Sequence, residues 1–425
     1  MTRLAAKAEQ TIARCREIAG CTEVAGEITR TFLAASMHDA HALLRGWMEA
    51  AGMQVHVDAA GNLRGLWPGL DEAAPRLVIG SHLDTVANAG AFDGVLGVVL
   101  GVALVEELAG TRLPFAIEVI GFSEEEGVRF SKPFLGSLAV IGELDASWVT
   151  RQDRDGATVA DAIRQFGLDP AAIKNAVLDG SSFGYLEFHI EQGPVLEAEH
   201  RSLGVVDAIA GQTRMTFTFT GQANHAGTTP MGALRHDALA AAAAWIGEVE
   251  RYASAREPLV ATVGKLEIPG AAGNVIPGRC AASLDVRHAD DTVREAAVRH
   301  LIDFAKAAAT LRGVSVAYEI SLEKAAVPMD RKLTSMLTKA VEAITGEARV
   351  LTSGAGHDAM IVARRLPAAM LFLRSPGGLS HHPDEAVLAE DVEAALAAGV
   401  EFLRSLRDDN AMIQELVSER GERNA

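Results

Sequence analysis

The chain has 425 residues, 49% of them hydrophobic and 22% charged, and this balance is that of a globular protein with little disorder. At about 150 residues per domain, the length favours two or three domains. The formal net charge of −17 at pH 7 argues against sequence-independent nucleic-acid binding, which needs clustered Lys and Arg side chains.

The cysteine content and the length of the apolar segments indicate where in the cell the protein is located. Cys15, Cys21 and Cys280 are too few and too scattered for a disulfide framework or a zinc ribbon. The N-terminal segment has charges spread along an amphipathic helical pattern, unlike a signal peptide. The longest apolar stretches, 94–105 and 238–246, are shorter than the roughly 20 residues of a membrane span. We therefore expect a cytoplasmic protein without a membrane partner.

The first part of the chain alternates between helical and strand patterns. Residues 1–50 predict helix with polar breaks. Strand patterns follow at 53–57, 63–66, 76–80 and 115–122, with a helical pattern at 94–108. This order predicts an α/β fold with a mostly parallel sheet covered by helices. Such sheets carry their chemistry beyond the carboxyl ends of the strands.

A second pattern begins near residue 211. It consists of strands at 215–220, 260–268, 279–287 and 314–320, with helices at 234–252 and 292–312. The order β-α-β-β-α-β is the split βαβ arrangement of a ferredoxin-like α+β domain. We therefore predict a discontinuous catalytic domain, 1–209 with 326–425, interrupted by an inserted domain at 210–325.

Metal-binding side chains recur where strands end or loops begin. They form five segments: His82-x-Asp84, Asp93, Glu124-Glu125-Glu126, His189 and His381-His382. Histidine and carboxylate ligands suit Zn²⁺ and similar divalent ions. One bridging carboxylate among five ligands would match a two-metal hydrolytic centre with ions about 3.5–4 Å apart.

Each segment also has a plain structural explanation. A lone His189 beside a strand end is often only hydrogen-bonded. Three consecutive glutamates are commonly a solvated face or a first helical turn, and Asp93-Gly94 alone is a turn signal. The recurrence of these segments behind successive strands favours the metal centre.

Nine motifs follow one another along nearly the whole chain. They are GSHLDTV (80–86), AFDGVLG (91–97), FSEEEGVRF (122–130), LEFHIEQGPVLE (186–197), GQANHAGTTPM (221–231), GNVIPG (273–278), LDVRH (284–288), SGAGHDAM (353–360) and GLSHHPDE (378–385). Together they resemble the M20 metallopeptidase family, and most closely its hydantoinase/carbamoylase branch. The stretch 122–137 is most similar to allantoate amidohydrolases. N-carbamoyl-L-amino acid hydrolases and β-ureidopropionases are similar too.

The resemblance implies a dinuclear-metal exopeptidase-like catalytic domain with two divalent ions per subunit, Zn²⁺ or Mn²⁺, Co²⁺ or Ni²⁺. The implied ligands are His82, Asp93 as the bridge, Glu126, His189 and His381. His382 stays open as an alternative to His381. Glu125 would be the general base, and Asp84 would fix the imidazole of His82.

The resemblance also implies a lid and dimerisation role for the inserted domain, and hence a homodimer. His225 would reach the partner's site and stabilise the oxyanion, although a loop histidine capping the next helix is the alternative. Arg287 would bind a substrate carboxylate, although a strand-end salt bridge is the alternative. Gln192, Gln212 and Asn274 would bind other polar atoms of the substrate, and for Gln192, which lies close to His189, support of the metal ligands is the alternative.

The implied function is a metal-dependent amidohydrolase that cleaves a C–N bond in a ureido or carbamoyl group of a small carboxylate substrate. Allantoate is favoured, and an N-carbamoyl-L-amino acid is next; the products include ammonia, and CO2 in the carbamoyl case. Two alternatives remain, an aminoacylase or dipeptidase and a non-catalytic binding descendant. The nucleophile-elbow pattern at 180–184 precedes a strand, and the dinucleotide pattern at 354–359 lacks its following acid, so neither carries weight.

Overall fold

The computed structural model of the chain describes residues 2–145 and 147–423. The chain divides into two compact units. The larger runs to Asp207 and resumes at Met329, and the smaller spans Ala208–Pro328. The insert predicted at 210–325 occupies the same part of the chain, and its lid and dimerisation role stays a prediction.

The helices, in chain order, are α1 (Arg3–Ala19), α2 (Ala35–Ala50), α3 (Val95–Glu107), α4 (Leu135–Val140), α5 (Val159–Gln165), α6 (Val195–Ala198), α7 (Ala238–Ser254), α8 (Asp291–Thr310), α9 (Arg331–Thr345), α10 (Asp358–Val362), α11 (Ala389–Asp408) and α12 (Asn410–Arg423). The strands are β1 (Gln54–Val57), β2 (Leu63–Trp67), β3 (Arg76–His82), β4 (Ala116–Phe122), β5 (Ser182–Ile190), β6 (Leu203–Ile209), β7 (Gly211–Thr220), β8 (Asn224–His225), β9 (Val260–Thr262), β10 (Leu266–Glu267), β11 (Val275–Ile276), β12 (Arg279–His288), β13 (Ser315–Lys324), β14 (Val327–Pro328), β15 (Arg349–Ser353) and β16 (Ala368–Leu373).

The larger unit is built on a twisted sheet with the strand order β1-β2-β4-β3-β5-β16-β6, and β15 also pairs with β6. The four central strands, β4, β3, β5 and β16, are parallel to one another. Strands β1, β2 and β6 run antiparallel to their neighbours. The predicted α/β fold with a parallel central sheet is therefore confirmed, and the antiparallel edges are additional to it.

Helix α3 fixes the position of Asp93, one of the predicted metal ligands. Its residues 95–105 are all buried, as expected of a helix that is apolar all round. Two glycines bring it close to the sheet, because a Cβ on Gly101 would lie 3.1 Å from Val119, and one on Gly97 would lie 2.1 Å from the main-chain oxygen of Phe188. Asp93, just before this helix, is thereby held near the carboxyl ends of the central strands.

The predicted helical segment 1–50 is two helices, α1 and α2, with a loop at 20–34 between them. Arg30 ties this loop to the segment that follows β3. Its main-chain N–H donates to Thr85 Oγ1 at 2.9 Å, and its oxygen accepts the Thr85 N–H at 2.9 Å. The buried guanidinium of Arg30 donates to the main-chain oxygens of Leu83, Ile18 and Cys21. These hydrogen bonds of Arg30 hold the loop against the segment after β3, so the chain does not continue as a helix there.

The smaller unit has an antiparallel sheet with the order β10-β12-β7-β13, and β9 also pairs with β12. Helices α7 and α8 pack on this sheet. The ring centroids of Trp245 in α7 and Phe217 in β7 lie 4.4 Å apart. Element order and strand order agree with the ferredoxin-like expectation. The predicted strand at 260–268 is interrupted around Gly264 and forms β9 and β10.

Candidate metal centre

Two histidines stand at the carboxyl ends of neighbouring parallel strands. His82 ends β3 and His189 lies one residue before the end of β5. Nδ1 of His82 donates to the main-chain oxygen of Asp84 at 2.9 Å, and Nδ1 of His189 donates to that of Ile190 at 2.9 Å. These bonds leave both Nε2 lone pairs free, and the two Nε2 atoms lie 3.4 Å apart.

The carboxylate of Asp93 lies between two sets of nitrogen and oxygen atoms. Its Oδ1 is 3.5 Å from His82 Nε2 and 3.2 Å from His189 Nε2, and its Oδ2 is 3.3 Å from His381 Nε2. Oδ1 is buried and has no hydrogen-bond partner among the described residues. Such an oxygen, facing two nitrogen lone pairs, needs a proton or a cation.

Glu126 completes a second group, because its Oε1 lies 3.4 Å from His381 Nε2. His82, Asp93 and His189 form one candidate metal group, and Asp93, Glu126 and His381 form another. Within each group the ligand atoms lie within 4.8 Å of one another. A carboxylate shared by two groups is the arrangement of a two-ion centre, and the ligand types fit borderline divalent cations.

His382 points elsewhere. Its Nδ1 accepts the main-chain N–H of Asp384 at 3.1 Å. His382 also belongs to none of the ligand groups found among the described residues. Of the two adjacent histidines, His381 is the one whose ring meets Asp93 and Glu126.

Asp84 supports the glutamate loop. Its carboxylate accepts the main-chain N–H of Glu125 and of Glu126, each at 3.0 Å. The same carboxylate lies 3.8 Å from His82 Nδ1, too far for a hydrogen bond. The sequence assigns Asp84 to orienting His82; in the structure its main-chain oxygen makes that contact, and its carboxylate orders Glu125 and Glu126.

The electrostatics of the centre set its carboxylates apart. Burial raises the pKa of Glu125 well above its usual range, and the charges of Glu126, Asp358 and Asp84 add to this effect. Burial alone would also raise the pKa of Asp93, but the surrounding His189, His381 and His82 hold it well below its usual range. Asp93 thus favours a ligand charge state, and Glu125 favours holding a proton.

Two further side chains contact the shared carboxylate. The Nε2 amide of Gln192 donates to Asp93 Oδ2 at 3.0 Å, and Ser380 Oγ donates to the same oxygen at 3.0 Å. The sequence assigns Gln192 either to the substrate or to supporting the metal ligands. Its amide N–H bonds here serve Asp93 and, at 3.1 Å, Ser380, as the second assignment expects. Ser380 directly precedes the His pair, but its place in the sequence does not by itself indicate a contact with Asp93.

The other sequence-predicted residues lie in the smaller unit. Gln212 and Arg287 are partners across β7 and β12, and both donate to Asp285. Arg287 therefore makes a salt bridge of the kind offered as its alternative. Nδ1 of the exposed His225 accepts the N–H groups of Gly227 and Thr228 at 3.1 and 3.2 Å. Nε2 of His225 consequently carries the proton.

Asn274 lies beside the His225 strand. Its main-chain oxygen accepts the N–H of Ala226 at 2.9 Å, and the neighbouring Val275 pairs with His225 between β11 and β8. The backbone contact brings Asn274 and His225 to one exposed corner of the smaller unit. The amide of Asn274 keeps its substrate role as a prediction.

Comparisons with known proteins agree on one family. Residues 78–406 match peptidase family M20/M25/M40. The chain is 39% identical to a probable allantoate deiminase of Oryza sativa, over 95% of this chain and 89% of the relative. It is 38% identical to an N-carbamoyl-L-amino acid amidohydrolase of Geobacillus stearothermophilus, over 89% of this chain and 92% of the relative. The crystal structure of a hydantoinase/carbamoylase family amidase from Burkholderia multivorans superposes with a TM-score of 0.88 at 31% identity, covering 94% of this chain and 97% of that one.

The chain belongs to peptidase family M20/M25/M40. The expected hydrolase acting on C–N bonds is confirmed, and so is the resemblance to the hydantoinase/carbamoylase branch. No helix among the described residues is long and apolar enough to cross a membrane.

Proposed function

We propose that this protein is a dinuclear metal amidohydrolase that cleaves a C–N bond in a ureido or carbamoyl group of a small carboxylate substrate. Allantoate is the favoured substrate, and an N-carbamoyl-L-amino acid is the next. The observation that carries the proposal is Asp93, whose two oxygens face two separate His/carboxylate groups. The names of the rice and Geobacillus relatives support the two substrates.

Two divalent cations would be held by His82 and His189 on one side and by Glu126 and His381 on the other, with Asp93 between them. Such ions polarise a carbonyl oxygen and make water acidic enough to react near neutral pH. The donor set takes Zn²⁺, Mn²⁺, Co²⁺ or Ni²⁺, because imidazole and carboxylate ligands accept all four.

Glu125 would move the proton. Burial keeps its pKa high, which suits a group that accepts a proton from the attacking water and returns it to the leaving nitrogen. Its main-chain N–H is held by Asp84 at 3.0 Å, so the side chain starts from an ordered backbone. A poised carboxylate beside the ligands, rather than an additional ligand, is what this role requires.

His225 would act on the partner subunit's centre in a homodimer formed through the inserted domain. Its Nε2–H is a donor because Nδ1 accepts two backbone N–H groups, and a donor is what an oxyanion needs. The outer edge of β13 supports dimer formation, since β13 pairs only with β7 among the described strands. Unpaired strand edges readily pair with another chain.

Arg287, Asn274, Gln212 and Gln192 would bind the substrate, with Arg287 taking its carboxylate. The ion pair of Arg287 with Asp285 holds the guanidinium in place. An aminoacylase or dipeptidase with the same centre is the second candidate, because the matched family is a peptidase family. Free cysteines at Cys15, Cys21 and Cys280 support a cytoplasmic location.

Ammonia release tests the proposal and separates the candidates. The metal-loaded chain is assayed with allantoate, with N-carbamoyl-L-amino acids and with N-acetyl-amino acids. We expect ammonia from the first two classes and little hydrolysis of the third. Preferential deacylation of the acetylated substrates would support the aminoacylase instead. A chain that binds no metal and hydrolyses none of them would be the non-catalytic descendant.

A further inference from the structure

Glu385 is a buried carboxylate outside the ligand set. It lies four residues after His381, and its side chain belongs to a residue only 6% exposed. Oε1 accepts the main-chain N–H groups of Phe92 and Asp93 at 2.9 and 3.0 Å. Oε2 is buried without a hydrogen-bond partner among the described residues. Burying a carboxylate costs free energy. The two hydrogen bonds from the Phe92 and Asp93 N–H groups offset part of that cost.

The chain before Asp93 fits closely around that carboxylate. A Cβ placed on Gly90 would lie 2.3 Å from Glu385 Cβ and 2.4 Å from Oε1. Only glycine therefore allows the 90–93 turn to approach Glu385 this closely. The contact is an interlocked pair of segments rather than a chance surface encounter.

One short segment holds Asp93 at both ends. Ser380 Oγ and His381 Nε2 lie 3.0 and 3.3 Å from Asp93 Oδ2. Glu385 binds the Asp93 main-chain N–H, and the Glu385 N–H donates to the oxygen of His382 at 3.0 Å to close the turn between them. The backbone and the side chain of the shared ligand are thus fixed by residues 380–385.

We propose that Glu385 is a positioning residue that orients Asp93 as the shared metal ligand. It acts through the Phe92 and Asp93 N–H groups and does not touch an ion or the substrate. This inference rests on the two-ion centre proposed above. Because Asp93 serves both ions, loss of the Glu385 contact weakens both sites together. Partners that orient a metal ligand typically change metal affinity by about 10–100-fold.

A second role for Glu385 makes a different prediction. As a negative charge near the centre, it would attract cations at a distance whatever its hydrogen bonds. The variant Glu385→Gln separates the two roles, since a glutamine oxygen accepts the same two N–H groups without the charge. Glu385→Ala removes both the charge and the acceptor. Asp384→Asn is the matched control. Asp384 is exposed, and its substitution removes one charge from the same turn.

The test is a Co²⁺ titration of each metal-free chain, followed by absorption spectroscopy and calorimetry. We expect Glu385→Ala to bind both ions about 10–100-fold more weakly, and Glu385→Gln and Asp384→Asn to stay within about threefold of the parent chain. An Ala variant that binds like the parent would overturn the inference. So would a Gln variant as weak as the Ala variant, because charge alone would then explain the loss.

Gly90→Ala guards against an Ala variant of Glu385 that fails to fold. The added Cβ would displace the Glu385 side chain without removing any polar group, so we expect the same loss of Co²⁺ affinity. Far-ultraviolet circular dichroism of the metal-free chains checks that the fold is kept. Parent-like binding by Gly90→Ala would overturn the inference. A parent chain that takes up no Co²⁺ would overturn the two-ion centre itself, which is a separate and recognisable failure.

Discussion

Gly94 and His82 are in such close contact that a Cβ on Gly94 would lie 2.4 Å from two atoms of the His82 ring. Gly94 has a φ of 68° and lies between Asp93 and the first residue of helix α3, Val95. A left-handed backbone and the absence of a side chain are therefore both needed at this position. The approach of the helix to the strand end is what brings Asp93 within reach of His82.

Gly94→Ala should consequently disturb the centre as well as the fold. The matched control is Gly110→Ala, because Gly110 has a φ of 82° and nothing within 4 Å of its Cβ position. We expect the control to lower the free energy of unfolding by about 1 kcal/mol through backbone strain. Gly94→Ala should cost about 1–3 kcal/mol more through the clash and should reduce bound metal. Urea unfolding and metal analysis measure both effects; equal losses in the two variants would contradict this account.

Glu125→Gln should remove the proton transfer while leaving the ions in place. The amide cannot accept a proton, and general acid–base catalysis contributes about 10²–10⁴-fold to the rate. We expect kcat for ammonia release to fall by about that factor at unchanged metal content. Inductively coupled plasma mass spectrometry measures the metal. A variant that loses an ion would show instead that Glu125 is a ligand, which its grouping with His82 and Glu126 also permits.

His41 should make the fold sensitive to acid. Burial, together with the nearby charges of His38 and Arg45, lowers the pKa of this histidine to about 3. Because the folded pKa is depressed, the unfolded chain takes up the proton first, and stability falls as pH drops below the unfolded value near 6.5. From pH 7 to pH 5 this contribution to the free energy of unfolding is about 2 kcal/mol.

His41→Leu should therefore lose less stability than the parent chain over the same pH interval. Both chains are unfolded with urea in the presence of a chelator, so that changes at the metal centre are common to both. We expect the difference between pH 7 and pH 5 to shrink by about 2 kcal/mol. An unchanged difference would mean that His41 is protonated in the folded chain.

Arg287→Ala should raise KM for carboxylate substrates. Loss of a charge-assisted hydrogen bond costs about 1.5–3 kcal/mol, which corresponds to a rise in KM of about 10- to 150-fold. Arg214→Ala is the matched control, since Arg214 also binds Asp285 but its side chain is 52% exposed. Steady-state kinetics compare the two variants. The same KM in both variants would mean that Arg287 does not bind the substrate and serves only its salt bridge with Asp285.

The sequence predicts the central strands and their ends well, and the physical reason is local. Residues 77–80 and, apart from Glu118, residues 115–122 are apolar runs. This pattern is typical of strands buried on both faces in a parallel sheet. The polar residues that follow them are then bound to meet at one edge of the sheet. His82 follows from this pattern, whereas Asp93-Gly94 by itself indicates only a turn and gains weight from the other ligand segments.

Contacts between distant segments could not be predicted in this way. Three hydrogen bonds join residues that are far apart in the sequence. Asp84 accepts the Glu125 N–H, the buried Arg30 donates to the Leu83 oxygen, and Glu385 accepts the Asp93 N–H. No periodicity records such pairs. The choice between His381 and His382 is of the same kind, because it depends on the direction of a side chain in a turn.

The most direct test of the two-ion amidohydrolase is a single reconstitution experiment on the full chain. The protein is stripped with a chelator, divided, and reloaded with zero to three equivalents of Mn²⁺ or Zn²⁺, and ammonia release from allantoate and from an N-carbamoyl-L-amino acid is followed at each step. We expect no activity in the stripped protein and a rise that reaches its plateau at two equivalents per chain. Activity in the stripped protein, or a plateau at one equivalent, would rule out a two-ion amidohydrolase.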